Sequence, residues 1–269
     1  VQSVPLAIIR GGADAVCERL MQVRGGVPVV VNVAGYGDLT MFVLGLLQAE
    51  HAGKRFLYRT AASFVRVRAG LEARPLLAAS DVYRAAGSQA EIGRPGLVVV
   101  GSYQPSTTEQ VERLLHAADL RPRAMEVEVQ AVLRGEWSAE HAGEQLGASV
   151  ERGELPVLYT SRQLVSGSGD ENLVIGRRVT DALLAALHNL AVRPRFVIAK
   201  GGITSHEVAH RGLGADRAHV LGQLQAGVPV WRLESGPGLR FGGIPYVVFP
   251  GNVGGPDGLV DAARALNAS

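Results

Sequence analysis

The stretch RFVIAKGGITSHE (Arg195–Glu207) predicts a strand, a glycine pair and the start of a helix. Phe196 to Ala199 form the apolar strand. Thr204 is followed three residues later by Glu207, a capping-box spacing typical of a helix N-terminus. Glycines let the backbone approach a ligand closely, and the exposed amides of a first helical turn attract anions. The stretch therefore predicts a β-α connection that can bind a phosphate group.

The same alternation of short Val- and Ile-rich runs with longer amphipathic stretches recurs along the whole chain. The predicted strands are Leu6–Ile9, Pro28–Val33, Leu97–Gly101, Leu155–Thr160, Phe196–Ala199, Val228–Leu233 and Tyr246–Phe249. The predicted helices are Ala13–Val23, Asp38–His51, Thr107–Ala118, Ala139–Arg152 and Asn172–Leu190. Strict alternation of apolar and polar residues from Ala124 to Leu133 predicts an edge strand with one solvated face. The pattern indicates an α/β fold, a mostly parallel sheet flanked by helices.

A change of pattern between Leu71 and Gly96 suggests a boundary between two lobes. This stretch carries Pro75, Gly87 and Pro95 and shows little sustained periodicity. We therefore expect an N-terminal lobe over residues 1–90 and a larger one over residues 96–269. The chain opens on a strand-like run with no leader, so we expect the N-terminal lobe to be incomplete.

Composition narrows the class of protein. The chain is 47% hydrophobic and 19% charged, which suits a compact core, and its single cysteine, Cys17, cannot form an internal disulfide. A net charge of +2 with scattered arginines argues against nucleic acid as a partner. No run is long enough to span a membrane and no signal peptide precedes the first strand, so we expect a cytoplasmic protein.

Polar, glycine-rich residues follow four of the predicted strands, at 101–110, 159–163, 200–207 and 249–258. Open α/β sheets bind ligands at the carboxyl ends of their strands. Lys200, one of two lysines in the chain, could neutralise phosphate charge, and Thr204 and Ser205 could donate hydrogen bonds. Asn252, in a loop with several glycines, offers both a donor and an acceptor. Ser102 lies at another strand end, so these groups could face one crevice.

Plainer explanations exist for these loops. A tight turn with an ordinary helix cap explains KGGITSHE about as well as a phosphate site does, and a plain cap explains the 101–110 loop better. The chain has no G-x-x-x-x-G-K-[ST] loop and no GxGxxG after a strand. The phosphate prediction therefore depends on the architecture.

HEVAH (His206–His210) matches the H-E-x-x-H pattern, in which two histidines bind zinc and the glutamate acts as a general base. The extended form of this motif would require glycine at position 213, where the chain has Leu213. The motif also begins in the first turn of the helix that we assign to phosphate. A zinc metallopeptidase is thus an alternative function, and solvated helical histidines are the simpler explanation.

Several of these stretches together resemble the four-carbon acid sugar kinase family. They are FLYRTAASFVRVRAGL (Phe56–Leu71), VVVGSYQPSTTEQ (Val98–Gln110), FVIAKGGITS (196–205), GVPVWRL (227–233) and GIPYVVFPGNVGG (243–255). The resemblance implies that residues 96–269 form the nucleotide-binding domain and that residues 1–90 form the remainder of a sugar-acid-binding lobe. It further implies a kinase that uses ATP and Mg²⁺ to phosphorylate a terminal hydroxyl of a four-carbon sugar acid, such as a threonate, erythronate or oxo-tetronate.

The loop residues and the resemblance together select site residues. Those expected at the nucleotide are Ser102, Lys200, Gly201, Gly202, Ile203, Thr204, Ser205, Gly251, Asn252 and Gly254. Those expected to border the sugar acid are Arg59, Thr60 and Ser63. The catalytic residue is not identified, and no protein ligand to a metal is predicted.

The chain departs from the family pattern at its beginning. The acidic Asp-Asp-Leu-Thr-Gly-Ala motif and the later Lys- and Ser-bearing substrate loop of the family are absent. This leaves open whether the chain is active alone or is a nucleotide-binding module without catalysis. The expected partners are a small sugar acid, a second copy in a homodimer, and the missing N-terminal segment of its own protein.

Overall fold

The computed structural model describes residues 1–86, 94–162, 171–234, 236 and 238–267. It divides into two compact units, Val1–Arg74 and Pro75–Ser269. This division falls within the stretch Leu71–Gly96, where the sequence suggests a boundary, and the helix over Ala79–Ala86 packs within the second unit. No helix in the described part of the chain is long and apolar enough to cross a lipid bilayer.

The first unit packs four helices with a small parallel sheet. Its elements are β1 (Gln2–Val4), α1 (Leu6–Arg10), α2 (Ala13–Met21), β2 (Val29–Val31), α3 (Tyr36–His51) and α4 (Ala62–Arg68). β1 and β2 pair in parallel, with Ser3 opposite Val30. The core contains Val4, Ile9 and Phe42, which are buried between the sheet and the helices.

The predicted strand Leu6–Ile9 is wrong. These residues form α1, because Pro5 fixes the chain at the helix start and its carbonyl accepts a hydrogen bond from the Ile9 amide at 3.2 Å. The strand lies just before the helix, in β1. A short apolar run does not distinguish one helical turn from a strand.

The second unit contains the remaining helices and strands that the structure describes. They are α5 (Ala79–Ala86), β3 (Leu97–Val100), α6 (Pro105–His116), β4 (Pro122–Val127), α7 (Val129–Arg134), α8 (Ala139–Glu151), β5 (Leu155–Thr160), α9 (Glu171–His188), β6 (Val197–Lys200), α10 (Gly202–Glu207), β7 (Arg217–Gln225), β8 (Val228–Glu234), β9 (Pro245–Phe249) and α11 (Gly258–Asn267). A π-helical turn over Val208–Gly212 continues α10. The predicted β-α alternation is confirmed in this unit, although α5, β7 and α11 were not predicted.

Within the described residues, the strands of this unit form one seven-stranded sheet in the order β4-β5-β3-β6-β9-β8-β7. The strands β4, β5, β3, β6 and β9 run parallel to one another. β8 runs antiparallel to β9, and β7 runs antiparallel to β8. Leu97 and Val99 face one hydrophobic core with α7, α8 and α9, while Val98 and Val100 face a second core with α5, α6 and α11. The predicted fold, a mostly parallel sheet flanked by helices, is confirmed.

The predicted strand Ala124–Leu133 is correct only in its first half. β4 ends at Val127 and lies at an edge of the sheet, as predicted, but α7 begins at Val129. The hydroxyl of Ser161, from a distant part of the chain, accepts a hydrogen bond from the Val129 amide at 3.2 Å. Gly135 ends the helix in the left-handed conformation, with φ of 74°. The hydrogen bond from Ser161 at the start of α7 comes from tertiary structure, so local alternation could not reveal it.

Two glycines in the middle of neighbouring helices provide a test of the packing. A Cβ at Gly143 in α8 would lie 2.4 Å from Asn189 Cβ and 2.7 Å from the Asn189 carbonyl carbon, whereas a Cβ at Gly176 in α9 meets nothing within 4 Å. We expect Gly143→Ala to lower the free energy of unfolding by about 1–3 kcal/mol through overpacking. Gly176→Ala should raise it by up to about 1 kcal/mol through helix propensity. Urea unfolding measures both, and equal effects at the two positions would contradict the packing of α8 against the end of α9.

Candidate functional site

At one point in the sheet of the second unit, the crossover connections of two neighbouring strands run in opposite directions. β3 and β6 are parallel neighbours, but the chain leaves β3 toward β4 at one edge of the sheet and leaves β6 toward β7 at the other. Such a topological switch point opens a crevice at the carboxyl ends of the two strands, where α/β sheets bind ligands. The loops beginning at Gly101 and Gly201 border this crevice.

The loops after β3, β6 and β9 start at the same level of the sheet. Val100 pairs with Lys200, and Lys200 pairs with Phe249. The backbone ladder then continues one residue further, because the Gly101 amide donates to the Lys200 carbonyl at 3.2 Å and the Gly201 amide donates to the Phe249 carbonyl at 2.8 Å. Tyr159 at the end of β5 also pairs with Val100, so the structure brings together all four of the stretches that the sequence selected.

The turn after β6 requires glycine and contacts the loop after β3. Gly201 has φ of 115°, which is closed to most side chains, and it precedes α10 directly. A Cβ at Gly101 would lie 2.2 Å from Thr204 Oγ1, so the two loops can meet only if residue 101 is glycine. Gly202 and Ile203 are exposed. The first amides of a helix have no intrahelical acceptor, so this turn presents donors to the crevice.

Thr204, predicted as a helix cap, and Thr107, predicted as the first residue of a helix, both lie inside their helices. α6 begins at Pro105 and α10 begins at Gly202, so Thr107 and Thr204 occupy the third helical position and are buried. Proline is favoured at the first helical position because its missing N–H would have no helical acceptor there. The predicted helix start at Thr107 is therefore wrong by two residues. The Thr107 hydroxyl instead donates to the Gly251 carbonyl at 3.1 Å and lies 3.1 Å from Ser102 Oγ.

The loop after β9 is held to α6 by a side chain that the sequence did not reveal. Gln110 Nε2 lies 3.2, 3.1 and 2.8 Å from the carbonyl oxygens of Val253, Gly254 and Gly255. Gly254 has φ of 84°, in the left-handed region that favours glycine. Gly251 packs on Ser102, since a Cβ there would lie 2.9 Å from Ser102 Oγ. Asn252 is exposed on the same loop.

Lys200 holds the loop after β9 from the interior of the protein. Its side chain is fully buried, and Nζ donates to the carbonyls of Pro250 at 2.7 Å and Val253 at 3.2 Å while lying 4.2 Å from the centre of the Phe249 ring. Burial lowers the pKa of Lys200 to about 8. The observed role of Lys200 is therefore to hold the loop, and its predicted contact with phosphate stays a prediction. Ser205 is also buried, and its hydroxyl donates to the Ala199 carbonyl at 2.7 Å.

Arg162 is a further cation beside Ser102. Its Nη1 donates to the Ser102 carbonyl at 2.8 Å, and Nε and Nη2 donate to Thr108 Oγ1 at 3.1 and 2.9 Å. Burial lowers the pKa of this guanidinium. Arg162 belongs to the predicted polar stretch 159–163, but no local pattern links it to Ser102. Residue 163 of that stretch lies outside the described residues.

Among the described residues, no third metal ligand joins the HEVAH side chains. The rings of His206 and His210 stack with centroids 5.6 Å apart, and the Glu207 carboxylate accepts a hydrogen bond from Arg211 at 2.9 Å. Nowhere in the described part of the chain do three His, Cys, Asp or Glu side chains gather as a metal site requires. This geometry favours the simpler explanation, solvated histidines on a helix.

The predicted sugar-acid residues lie in the first unit. Arg59 and Thr60 are exposed in the segment before α4, and Ser63 is half-buried in α4 itself. They are close in sequence to Tyr58 and Phe64, whose rings lie 5.3 Å apart. Their predicted role stays a prediction.

Two family models match the chain. One, described as a nucleotide-binding C-terminal domain, matches residues 97–259. The other, described as a sugar-binding N-terminal domain, matches residues 1–68. No curated protein matches the chain.

Solved structures share the fold at low sequence identity. A Salmonella typhimurium LT2 protein provisionally designated a tRNA synthase matches with a TM-score of 0.62 and 17% identity over 98% of the chain. A Haemophilus influenzae protein of the DUF1537 family matches with 0.54 and 19% over 98%. A Bordetella bronchiseptica domain of unknown function, a domain-swapped dimer with bound citrate, matches with 0.51 and 20% over 95%. The chain spans 59%, 60% and 57% of the length of these proteins, respectively.

Lys200 makes the stability of the second unit depend on pH. Its pKa is about 8 in the folded protein against an ordinary value of 10.5, so between these values the unfolded chain binds more protons than the folded chain. Stability should therefore rise as the pH increases through this window, by up to about 3 kcal/mol, and Lys200→Met should remove that rise. Urea unfolding of both proteins below, within and above the window tests this. A difference between them that stays constant with pH would contradict it.

Proposed function

The chain belongs to the four-carbon acid sugar kinase family, and from this premise we propose that it binds ATP with Mg²⁺ and phosphorylates a four-carbon sugar acid. The acceptor would be a terminal hydroxyl of a threonate, erythronate or oxo-tetronate. The single observation that carries the proposal is the meeting of three glycine-rich loops at the switch point of a sheet whose sequence matches the nucleotide-binding domain.

The loops divide the work of holding a triphosphate. The amides of the turn Gly201–Thr204 would donate to phosphate oxygens, and Ser102 and Gly251 would border the same ligand from the loops after β3 and β9. Mg²⁺ bound with ATP would neutralise charge on the transferred phosphoryl group. These loops are tied to one another before any ligand binds, by Thr107, Gln110 and Lys200. A preformed set of donors favours charge that develops during transfer, because it does not have to reorganise.

The sugar acid would bind in the lobe of residues 1–90, bordered by Arg59, Thr60 and Ser63. An arginine suits a carboxylate because its guanidinium can donate two parallel hydrogen bonds. Residues 1–68 match the sugar-binding domain, which supports this assignment of the lobe. The group that deprotonates the sugar hydroxyl is not among the residues proposed.

A nucleotide-binding module without catalysis is the second candidate. It is favoured by the contacts that hold the glycine-rich loops, all of which lie within the second unit. Phosphoryl transfer needs both substrates in one site, whereas ATP binding needs only the second unit.

For the kinase we further propose a cytoplasmic location and a homodimer. The domain-swapped arrangement of the Bordetella bronchiseptica protein suggests the dimer.

Gly202 provides the sharpest test of nucleotide binding. It is exposed at the start of α10, and a Cβ there meets nothing within 4 Å, so substitutions should not disturb the fold. We expect Gly202→Asp to weaken MgATP binding about 100-fold or more, because a carboxylate repels phosphate and displaces it from the amides. Gly202→Ala controls for size and should weaken binding less than about tenfold. Calorimetric titration measures both; equal binding by Gly202→Asp and the wild type would place the nucleotide elsewhere.

Arg59 tests the sugar-acid site separately. We expect Arg59→Gln to weaken binding of a four-carbon sugar acid about tenfold or more by removing a charged hydrogen bond, and to leave MgATP binding unchanged. Titrations of threonate, erythronate and 2-oxo-tetronate into both proteins measure this. A sugar acid that binds Arg59→Gln as tightly as the wild type would remove Arg59 from the site.

A further inference from the structure

A large cavity adjoins the proposed phosphate turn within the second unit. Its volume is about 890 Å³, and it lies between α9, α10 and the ends of β3 and β5. This size falls in the range of sites that enclose small organic ligands. Neither the sequence motifs nor the family resemblance drew attention to α9.

The cavity and the phosphate turn share residues. Gly101, Ile203 and Thr204 line the cavity, and Gly101 and Thr204 also form the contact between the loops after β3 and β6. A ligand whose phosphates lie on the Gly201–Thr204 turn would therefore have its next group at the mouth of the cavity. In a nucleoside triphosphate, that group is the ribose and its base.

The charges around the cavity argue against a second phosphate site. Among the described lining residues, two are basic and two are acidic: Arg177, Arg211, Asp181 and Glu207. Arg211 donates to Asp181 at 2.7 Å and to Glu207 at 2.9 Å, so its charge is already compensated. A cavity with balanced charge suits a neutral group better than a polyanion.

The walls suit a planar, mostly apolar group with polar edges. Leu183, Leu184 and Val208 are buried apolar residues of the lining, and Thr160 and Thr180 add hydroxyl groups. Three lining residues are unusually exposed for their type: Tyr103 at 66%, Leu173 at 64% and Ile203 at 77%. An aromatic ring and a branched chain at this position would lose exposure to water against a base, which is favourable.

We propose that the cavity beside α9 binds the nucleoside portion of the nucleotide, with the base between Tyr103, Ile203 and the apolar wall of α9. This inference rests on the proposed function, since it orients the same ligand. It assigns two subsites with different chemistry: backbone amides for the phosphates and an apolar, charge-balanced cavity for the base and ribose.

Gly176 in α9 allows the cavity to be filled without touching the phosphate turn. It lines the cavity, and a Cβ there meets nothing within 4 Å. The probes are adenosine, which has no phosphate, and MgATP. Gly176→Phe should weaken adenosine and MgATP binding about tenfold or more, as followed by NMR and calorimetric titration. Gly176→Ala controls for the loss of glycine, and Arg178→Phe places the same ring on an exposed part of α9 outside the described lining; both should bind like the wild type.

The reciprocal variant separates the two subsites. Gly202→Asp should lose MgATP but retain adenosine, because its carboxylate opposes phosphate only. Adenosine binding that is unchanged in Gly176→Phe, or lost equally in Gly202→Asp, would overturn the inference. A wild-type chain that binds MgATP but not adenosine would also overturn it and leave the proposed function standing. Failure of the wild type to bind either probe would overturn both.

Discussion

The parallel pairing of β3 with β6, with their crossovers leaving in opposite directions, is the constraint on which the site depends. It places the first residues of two loops side by side at one level of the sheet, and β9 adds a third through the pair Lys200 and Phe249. Glycines at 101 and 201 then let the loops approach to a distance that side chains would prevent. The crevice is thus a product of topology first and of residue type second.

Topology brings the loops together, but buried polar groups fix their conformation. The carbonyl groups of a loop need hydrogen-bond donors wherever the loop is buried, because an unsatisfied buried carbonyl costs about 1–3 kcal/mol. Gln110 and Lys200 supply those donors to residues 250–255 from two different elements, and Thr107 supplies one to Gly251. Rigid loops bind a ligand more tightly than mobile ones, since less conformational freedom is lost on binding.

The sequence predicted the strands and loops of the second unit well because each signal there is local. Phe196–Ala199 is continuous and apolar, and its glycine pair is adjacent, so a β-α turn could be predicted without distant contacts. Three features could not be, because their causes lie far away in the chain. Ser161 caps the helix that follows Val127, Gln110 binds carbonyls more than 140 positions later, and the Lys200 amine turns under the loop after β9. The structure accordingly brings the predicted loops together, whereas the side chains that hold them could not be predicted from local sequence.

Lys200 shows why a costly group can persist beneath such a site. A fully buried lysine loses hydration, which is the reason for its lowered pKa, and two carbonyls and the face of Phe249 restore only part of that loss. An apolar residue would avoid the desolvation but would leave the carbonyls of Pro250 and Val253 without their donor. The lysine therefore selects one loop conformation at some expense of stability, as buried polar groups do in other folds. This loss of stability is advantageous only if the loop conformation itself is needed. The function therefore depends on the loops at the strand ends rather than on the sheet.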